Sequence, residues 1–293
     1  MDALPHHIRL RLDQTLTQWR HWQCRTPLEA APEAIAVLGR GISNFTILVD
    51  AGEQFAVRID GVNPAANGLN RQVEWRALEA ASDAGLAPAP RYFNPELGSL
   101  VCDYLTPDAE QPQDTGQLAD LLRRIHQLPP RHHRLDLGER ILRYQKQLSH
   151  RGEELPPTLV RLRPQLHEAL DALQSQAGDR VLCHNDLLRA NRLHSGGSLW
   201  ALDWEYCAMG SPWYDLAVTI CGDELDGEQA QALVRAYLGR EPDVGERVQL
   251  RDYSFVYRYL ELLWYLALEK APAQKEGFIC SRLAALEAAR RTP

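Results

Sequence analysis

The sequence predicts an α+β fold in two lobes: an N-terminal five-stranded antiparallel sheet carrying one main helix, then a larger, mainly helical C-terminal lobe. Three observations predict it. Short apolar runs rich in β-branched residues crowd between positions 35 and 105, helical periodicity takes over beyond 114, and the polar stretch TPDAEQPQDTG lies between them. With 293 residues, 45% hydrophobic and 24% charged, the chain is long enough to bury two modest cores.

Leu4, Ile8, Leu12, Leu16 and Trp19 stand at helical spacing, and the two prolines of PLEAAPEA then interrupt any helix, so residues 1–34 read as a helix and a linker. The runs IAVL, FTILVD and QFAVRID, separated by RGISN and AGEQ, predict three antiparallel strands. NRQVEWRALEAASDA is rich in helix formers and stops at Gly85, with Pro88 and Pro90 beyond. RYFNPELGSLVCDYL adds two strands about a turn at Asn94 to Gly98. Asp114 and Gln117 form a capping-box signature ahead of Leu118, Leu121, Leu122 and Ile125. Later helices are expected near 135–149, 158–176, 212–221, 227–238 and 246–270, interrupted by RVLCHND, NRLHS and LWALDWE.

A formal charge of −7 argues against a phosphate-backbone binder, whose affinity comes from clustered Lys and Arg, so nucleic acid is not an expected partner. The N-terminus lacks an uninterrupted apolar core, and the most apolar late stretch, FVYRYLELLWYLAL, is broken by Arg258 and Glu261; no membrane association and a cytoplasmic location are expected. The six cysteines, Cys24, Cys102, Cys183, Cys207, Cys221 and Cys280, form no CxxC pair and read as buried free thiols. The oligomeric state is left open.

The sharpest chemical signal is CHNDLLRAN followed by LDWEY: His184, Asp186 and Asn191, then Asp203 and Glu205. Phosphoryl transfer needs a carboxylate to take or orient a hydroxyl proton, and side-chain oxygens to hold the Mg²⁺ ions that bridge phosphates. An H-x-D-x-x-x-x-N loop with a downstream Asp supplies those parts. Asp186 as a helix cap and Asn191 as a turn residue is the commonplace alternative, and the spacing with the following LDWE decides against it.

These segments resemble the aminoglycoside phosphotransferase and choline kinase superfamily. CHNDLL with its Asn is similar to choline and ethanolamine kinases, and LDWEY is similar to those and to bacterial thiamine kinases. RGISNFTILV resembles the family's Gly-Leu-Ser-Asn loop, and AVRID stands where choline kinases carry an Arg-Ile pair; the likeness runs over roughly 38 to 270. The resemblance implies a protein-kinase-like fold, ATP and Mg²⁺ as cofactors, and a nucleotide-binding lobe over 35–105 ahead of a catalytic and substrate lobe over 106–293. It implies Asp186 as catalytic base, Asn191 and Asp203 as metal ligands, and Glu205 as a further contact, direct or indirect, to the metal. Arg58, oriented by Glu74, would contact the ATP phosphates, with Ser43 and Asn44 in the loop above them. His184 is expected to orient the loop, and Asp215, in GSPWYDLAV, to brace it.

Two departures stand out. LGRGISN has only Gly39 and Gly41 rather than a full G-x-G-x-x-G, and Arg58 replaces the usual lysine. Tyr257, Glu261, Trp264, Tyr265 and Leu268 share one helical face, an aromatic surface with a carboxylate that suits a cationic alcohol; close core packing is the alternative reading. Trp264 matches the substrate helix of choline kinases, whereas Ala267 stands where a second tryptophan is expected. Choline or thiamine is therefore the first expectation for the acceptor and ethanolamine the next, with an aminoglycoside or amino-sugar kinase as the alternative within the fold. A nucleotide-binding pseudokinase is disfavoured because Asp186, Asn191 and Asp203 are all present, and a protein kinase because D-F-G and A-P-E are missing.

Overall fold

The structure, a computed structural model, describes residues 4–40, 44–175, 178, 180–268 and 275–289. The chain divides into two compact units. Unit 1 is Met1–Pro112 with Arg192–Tyr206, and unit 2 is Gln113–Asn191 with Cys207–Pro293. Of the described residues, no helix is long and apolar enough to cross a membrane.

Unit 1 is built on the expected five-stranded antiparallel sheet. Its strands are β1 (Glu33–Arg40), β2 (Asn44–Asp50), β3 (Gln54–Asp60), β4 (Pro90–Asn94) and β5 (Ser99–Asp103), in the order β1-β2-β3-β5-β4. The twofold alternation of β3 sorts two jobs. Phe55, Val57 and Ile59 are buried on one face, where Leu4 and, from α1 (His6–Thr17), Ile8 and Leu12 join them in a core with Ile47, Val49 and Val101. Arg58 and Asp60 alternate with that apolar set and are buried too. The N-terminal helix expected with a linker over 1–34 is thus an integral layer of this unit, because its stripe of Ile8 and Leu12 needs a partner surface.

The helix after β3 is α2 (Arg71–Asp83), capped by Asn70, whose side chain accepts from the backbone of Gln72 and Val73; Gly85, at φ +67°, follows its end. Between β4 and β5 the Asn94 side chain accepts from Glu96 and Leu97 N–H, and Gly98 takes φ +61°.

Unit 1 also holds a late segment assigned by sequence to the C-terminal lobe. A hairpin returns Leu202 to Glu205 to this unit. Its strands pair from Arg192↔Ala201 to Ser195↔Ser198 around Gly196 and Gly197, both at positive φ. The Asp108 carboxylate accepts from both glycine N–H groups at 2.9 Å, and Ala201 N–H donates to the Leu86 carbonyl at 2.8 Å.

Unit 2 is mainly helical. α3 (Thr115–His126) begins at Asp114, whose side chain accepts from the N–H groups of Gly116 and Gln117. Next come α4 (Leu137–His150), α5 (Pro157–Arg161) and α6 (Arg163–Ser175). The single helix expected over 158–176 is broken at Leu162, because Pro164 lacks an N–H and its ring crowds the carbonyl four residues earlier. The strands β6 (Val181–Cys183) and β9 (Ala208–Gly210) pair antiparallel, with the hairpin strands β7 (Arg192–Ser195) and β8 (Ser198–Ala201) of unit 1 lying between them in sequence.

α7 (Pro212–Gly222), α8 (Gly227–Leu238) and α9 (Val244–Ala267) complete the expected set. α8 and α9 start from full capping boxes, Asp226 with Gln229 and Asp243 with Glu246. A further helix, α10 (Lys275–Ala289), was not foreseen, and it packs Ile279, Leu283 and Leu286 into the same core as α4, α6, α7 and α9. The last residues of the helix expected to reach 270 lie outside the described residues.

Candidate active site

The chemistry-bearing residues fall into two groups, one in each unit. In unit 2 they are gathered on the loop after β6. His184, Asn185 and Asp186 follow Cys183 directly, and Asn185 sits at φ +62°, a left-handed conformation that asparagine enters more readily than other non-glycine residues.

Two residues of α7 and the Asp223 that caps its end hold this loop. The buried Asp215 carboxylate accepts from the backbone N–H of His184 at 2.8 Å and of Asn185 at 2.6 Å; Thr219 Oγ1 donates to the Leu187 carbonyl at 3.3 Å; Asp223 accepts from Arg189 N–H at 2.8 Å. Positions 215, 219 and 223 are spaced i, i+4, i+8, so one stripe of an otherwise apolar helix grips the loop at three points. Asp215 also pairs with His126 Nε2 at 3.1 Å, whose other nitrogen lies 2.8 Å from the Tyr237 hydroxyl.

The loop so held places Asn191 against Asp186: Asn191 Nδ2 donates to Asp186 Oδ2 at 2.8 Å and to the Asp186 carbonyl at 2.9 Å. Spending the amide nitrogen on Asp186 leaves the carbonyl oxygen as the end suited to a hard cation. The aromatic face of α9 belongs to the same neighbourhood. Burial first, then the negative charges of Glu261 and Asp186, push the Tyr257 hydroxyl well above its ordinary range, and Asp186 also acts on Tyr265. Tyr257 donates to Glu261 Oε1 at 3.4 Å, and the rings of Trp264 and Tyr265 meet edge to face at 4.8 Å.

Gly222 shows how closely these parts pack: a Cβ there would lie 2.3 Å from Leu188 Cδ2 and 2.8 Å from the Tyr257 hydroxyl. Tyr214 packs its ring edge-on against Tyr253 and Tyr257, and with Trp213 and Tyr253 it lines a cleft of about 350 Å³ whose walls include neither Asp186 nor Glu261.

Unit 1 carries a buried network of two guanidinium groups and four carboxylates. Arg58 engages both oxygens of Glu74, with Nη2 to Oε2 at 2.8 Å, and its Nη1 also meets Asp203 Oδ1 at 2.9 Å. Arg71 reaches Glu74 at 2.7 Å, Glu205 at 2.9 Å and Asp60 at 2.6 Å. Asn44 donates to Glu205 Oε2 at 3.0 Å. Glu205 therefore spends one oxygen on two donors within unit 1, and its side chain is only 3% exposed.

Asp203 is the open member of the network. Its side chain is 30% exposed, it uses one oxygen on Arg58, and its backbone stands at φ +57° at the end of the hairpin. Burial, then the Glu205 charge, pushes its carboxyl up to about 7, against the pull of Arg58. With every group ionised the network carries two more negative than positive charges, a deficit that a divalent cation would offset.

The sequence reading singled out Arg58, Glu74, Asn44, Asp203 and Glu205 in this unit, and the network joins them. Ser43 lies outside the described residues. Arg71 and Asp60 were missed, since an arginine at the first position of a helix reads as solvent-facing; its three-residue spacing from Glu74 was the available signal. Thr219 and Asp223 were missed in unit 2, where polar side chains every fourth position in an apolar helix were the clue.

The model of the phosphotransferase enzyme family matches residues 34–251. LicA of Haemophilus influenzae is 27% identical over 114 residues, which are 36% of this chain and 41% of LicA, so the match spans under half of that relative. A thiamine kinase of Escherichia coli is 26% identical over 222 residues, 70% of this chain and 72% of the enzyme. The solved choline/ethanolamine kinase family protein of Mesorhizobium loti superposes with a TM-score of 0.75 at 24% identity, over 97% of this chain and 96% of that one, which establishes a shared fold. With the family's model spanning the sheet, the braced loop and the hairpin alike, the chain belongs to the phosphotransferase enzyme family.

Proposed function

We propose that the protein transfers the γ-phosphoryl group of ATP, with Mg²⁺, to the hydroxyl of a small alcohol, choline or thiamine before ethanolamine. The observation that carries this reading is the Asp186 carboxylate, hydrogen-bonded by Asn191 on a loop that α7 grips at three points, in the same neighbourhood as the aromatic face of α9. The attacking hydroxyl oxygen forms a bond to the γ-phosphorus as the bond to the β,γ-bridging oxygen breaks; the hydroxyl proton passes to Asp186 and ADP leaves.

Asn191 and Asp203 offer the hard oxygen donors that Mg²⁺ prefers, and Mg²⁺ when bound would neutralise charge on the phosphates. Glu205, committed to Arg71 and Asn44, is assigned to support Asp203 rather than to touch metal. Arg58, gripped through Glu74, would turn its Asp203-facing nitrogen to a phosphate oxygen, a role suited to a planar, permanently charged group. The similar choline/ethanolamine kinase family protein and thiamine kinase make choline and thiamine the first acceptors to examine.

The test is Mg·ATP consumption by the purified protein with choline, ethanolamine, thiamine, N-acetylmuramate, N-acetylglucosamine and kanamycin. Acceleration by a cationic alcohol is expected. Acceleration by kanamycin or an amino sugar alone would overturn the acceptor assignment, and silence with every acceptor while ATP still binds would favour an acceptor outside the panel or a nucleotide-binding module over this reading.

A further inference from the structure

The sequence reading assigns Glu261 to a cation supplied by the substrate, yet this carboxylate already faces a cation of the chain's own. Arg282, on α10, holds its Nε 3.5 Å from Glu261 Oε2 and its Nη1 2.7 Å from Glu224 Oε1, with its guanidinium 4.9 Å from the centre of the Phe278 ring. Phe278 in turn lies 4.4 Å from the Tyr265 ring and Tyr265 4.8 Å from Trp264. The carboxylate expected to hold a substrate cation already faces a guanidinium, which lies over Phe278 at the end of the ring series from Trp264 and Tyr265.

The two halves of this bridge are unequal. The Glu224 contact is a close ion pair with a partner that is 66% exposed. The Glu261 contact is a loose one between two side chains about nine-tenths buried, in which neither Arg282 Nε nor Glu261 Oε2 has a hydrogen-bond partner among the described residues. Trp264 Nε1, three residues from Glu261 along α9, is a buried donor in the same condition. A buried carboxylate oxygen whose counter-ion stands 3.5 Å away and gives it no hydrogen bond has room for a better partner. Glu224 itself stands at φ +55°, an uncommon backbone conformation for glutamate.

We propose that Arg282 is the resident counter-ion of the acceptor site and sets its specificity: a cationic alcohol binds by taking the place of Arg282 against Glu261, while Arg282 remains paired with Glu224. The proposal rests on the reading of the α9 face as the acceptor site. Two cations cannot share one buried carboxylate without repulsion, so the incoming group must outcompete a guanidinium. A bare ammonium gains too little. A quaternary or ring cation with apolar rims gains stacking on Trp264 and Tyr265 as well as the charge of Glu261, and so prevails. Arg282 thereby raises the threshold for every cation and leaves the aromatic contacts to discriminate among them.

The experiment is calorimetric titration of the full chain with tetramethylammonium chloride, against a sodium chloride control at matched ionic strength. Arg282→Gln should bind the probe about tenfold more tightly than the wild type. Glu224→Gln should bind it more weakly, because Arg282 then rests on Glu261 alone. Arg282→Lys keeps the charge and should not tighten binding, which separates loss of charge from any loosening of α10. Unchanged or weaker binding by Arg282→Gln, tighter binding by Arg282→Lys equal to that of Arg282→Gln, or no binding by any of these proteins would overturn the proposal. The titration needs no phosphoryl transfer, so a failure of the kinase reading would appear separately, as silence in the acceptor panel.

Discussion

Arg71→Met tests the buried network of unit 1 at its most connected point. The Arg71 guanidinium meets Asp60, Glu74 and Glu205 at 2.6 to 2.9 Å, and its side chain is 8% exposed. Methionine fills similar volume but leaves three buried carboxylates with one fewer cation, and Arg58 cannot serve them all. Removing one partner of a buried ion network costs roughly 3–5 kcal/mol. At about 2–4 °C per kcal/mol for a chain of this size, the midpoint of thermal unfolding should fall by roughly 6–20 °C.

The pH dependence supplies the sign. Burial, the largest single influence, pushes Glu74 up, but Arg58 and Arg71 together outweigh it and hold the carboxyl below its ordinary value of 4.5. A depressed carboxyl contributes stability that is present above its unfolded value and is lost as pH falls through the folded one. Without Arg71 that contribution shrinks, and the orphaned acids bind protons more readily. The deficit of the variant should therefore be large at pH 8 and smaller at about pH 3.5, below the 4.5 of the unfolded carboxyl, where the Glu74 contribution is being lost, read by circular dichroism melts in metal-free buffer. A midpoint within 2 °C of the wild type at pH 8, or a deficit that widens on acidification, would refute the reasoning.

Asp186→Asn should abolish phosphoryl transfer while nucleotide binding persists, since it removes the base and no metal ligand; undiminished turnover would sink the assignment. Asp203→Ala should weaken Mg·ATP binding as well as turnover, and normal Mg·ATP affinity by calorimetry would contradict its metal role. Gly222→Ala forces its new methyl group against Leu188 and the Tyr257 hydroxyl, at 2.3 and 2.8 Å, so a loss of about 1–3 kcal/mol in stability is expected together with reduced turnover from the displaced loop. A fully active, fully stable Gly222→Ala protein would show that the contact relaxes without cost.

The strands of unit 1 were legible because alternation of β-branched residues between short polar turns has few other solutions, and α2 was legible from its helix formers and its stop at Gly85. Asp186 and Asn191 were legible because the chemistry demands a fixed spacing. What escaped was pairing at a distance. Arg71 and Asp60 are eleven residues apart on either side of a turn, and nothing in a linear pattern says that their charges meet, or that Glu205, 134 residues beyond Arg71, joins them. α10 escaped because its apolar positions are diluted by small residues and define no clear stripe until α9 supplies a surface. Arg282 escaped with it.

The hairpin that carries Asp203 and Glu205 bears on the order in which the protein can be finished on the ribosome. Residues to Pro112 can assemble the sheet as soon as they emerge, but Tyr206 must be synthesised before unit 1 is complete. At about 5–20 residues per second, that interval is roughly 5–20 s. Throughout it Arg71 has Asp60 and Glu74 but lacks Glu205, Asn44 lacks its acceptor, and the Leu86 carbonyl lacks Ala201. The nascent first unit is therefore a half-closed charge network waiting for its last two acids, and a fragment ended at Pro112 would be frozen in that state.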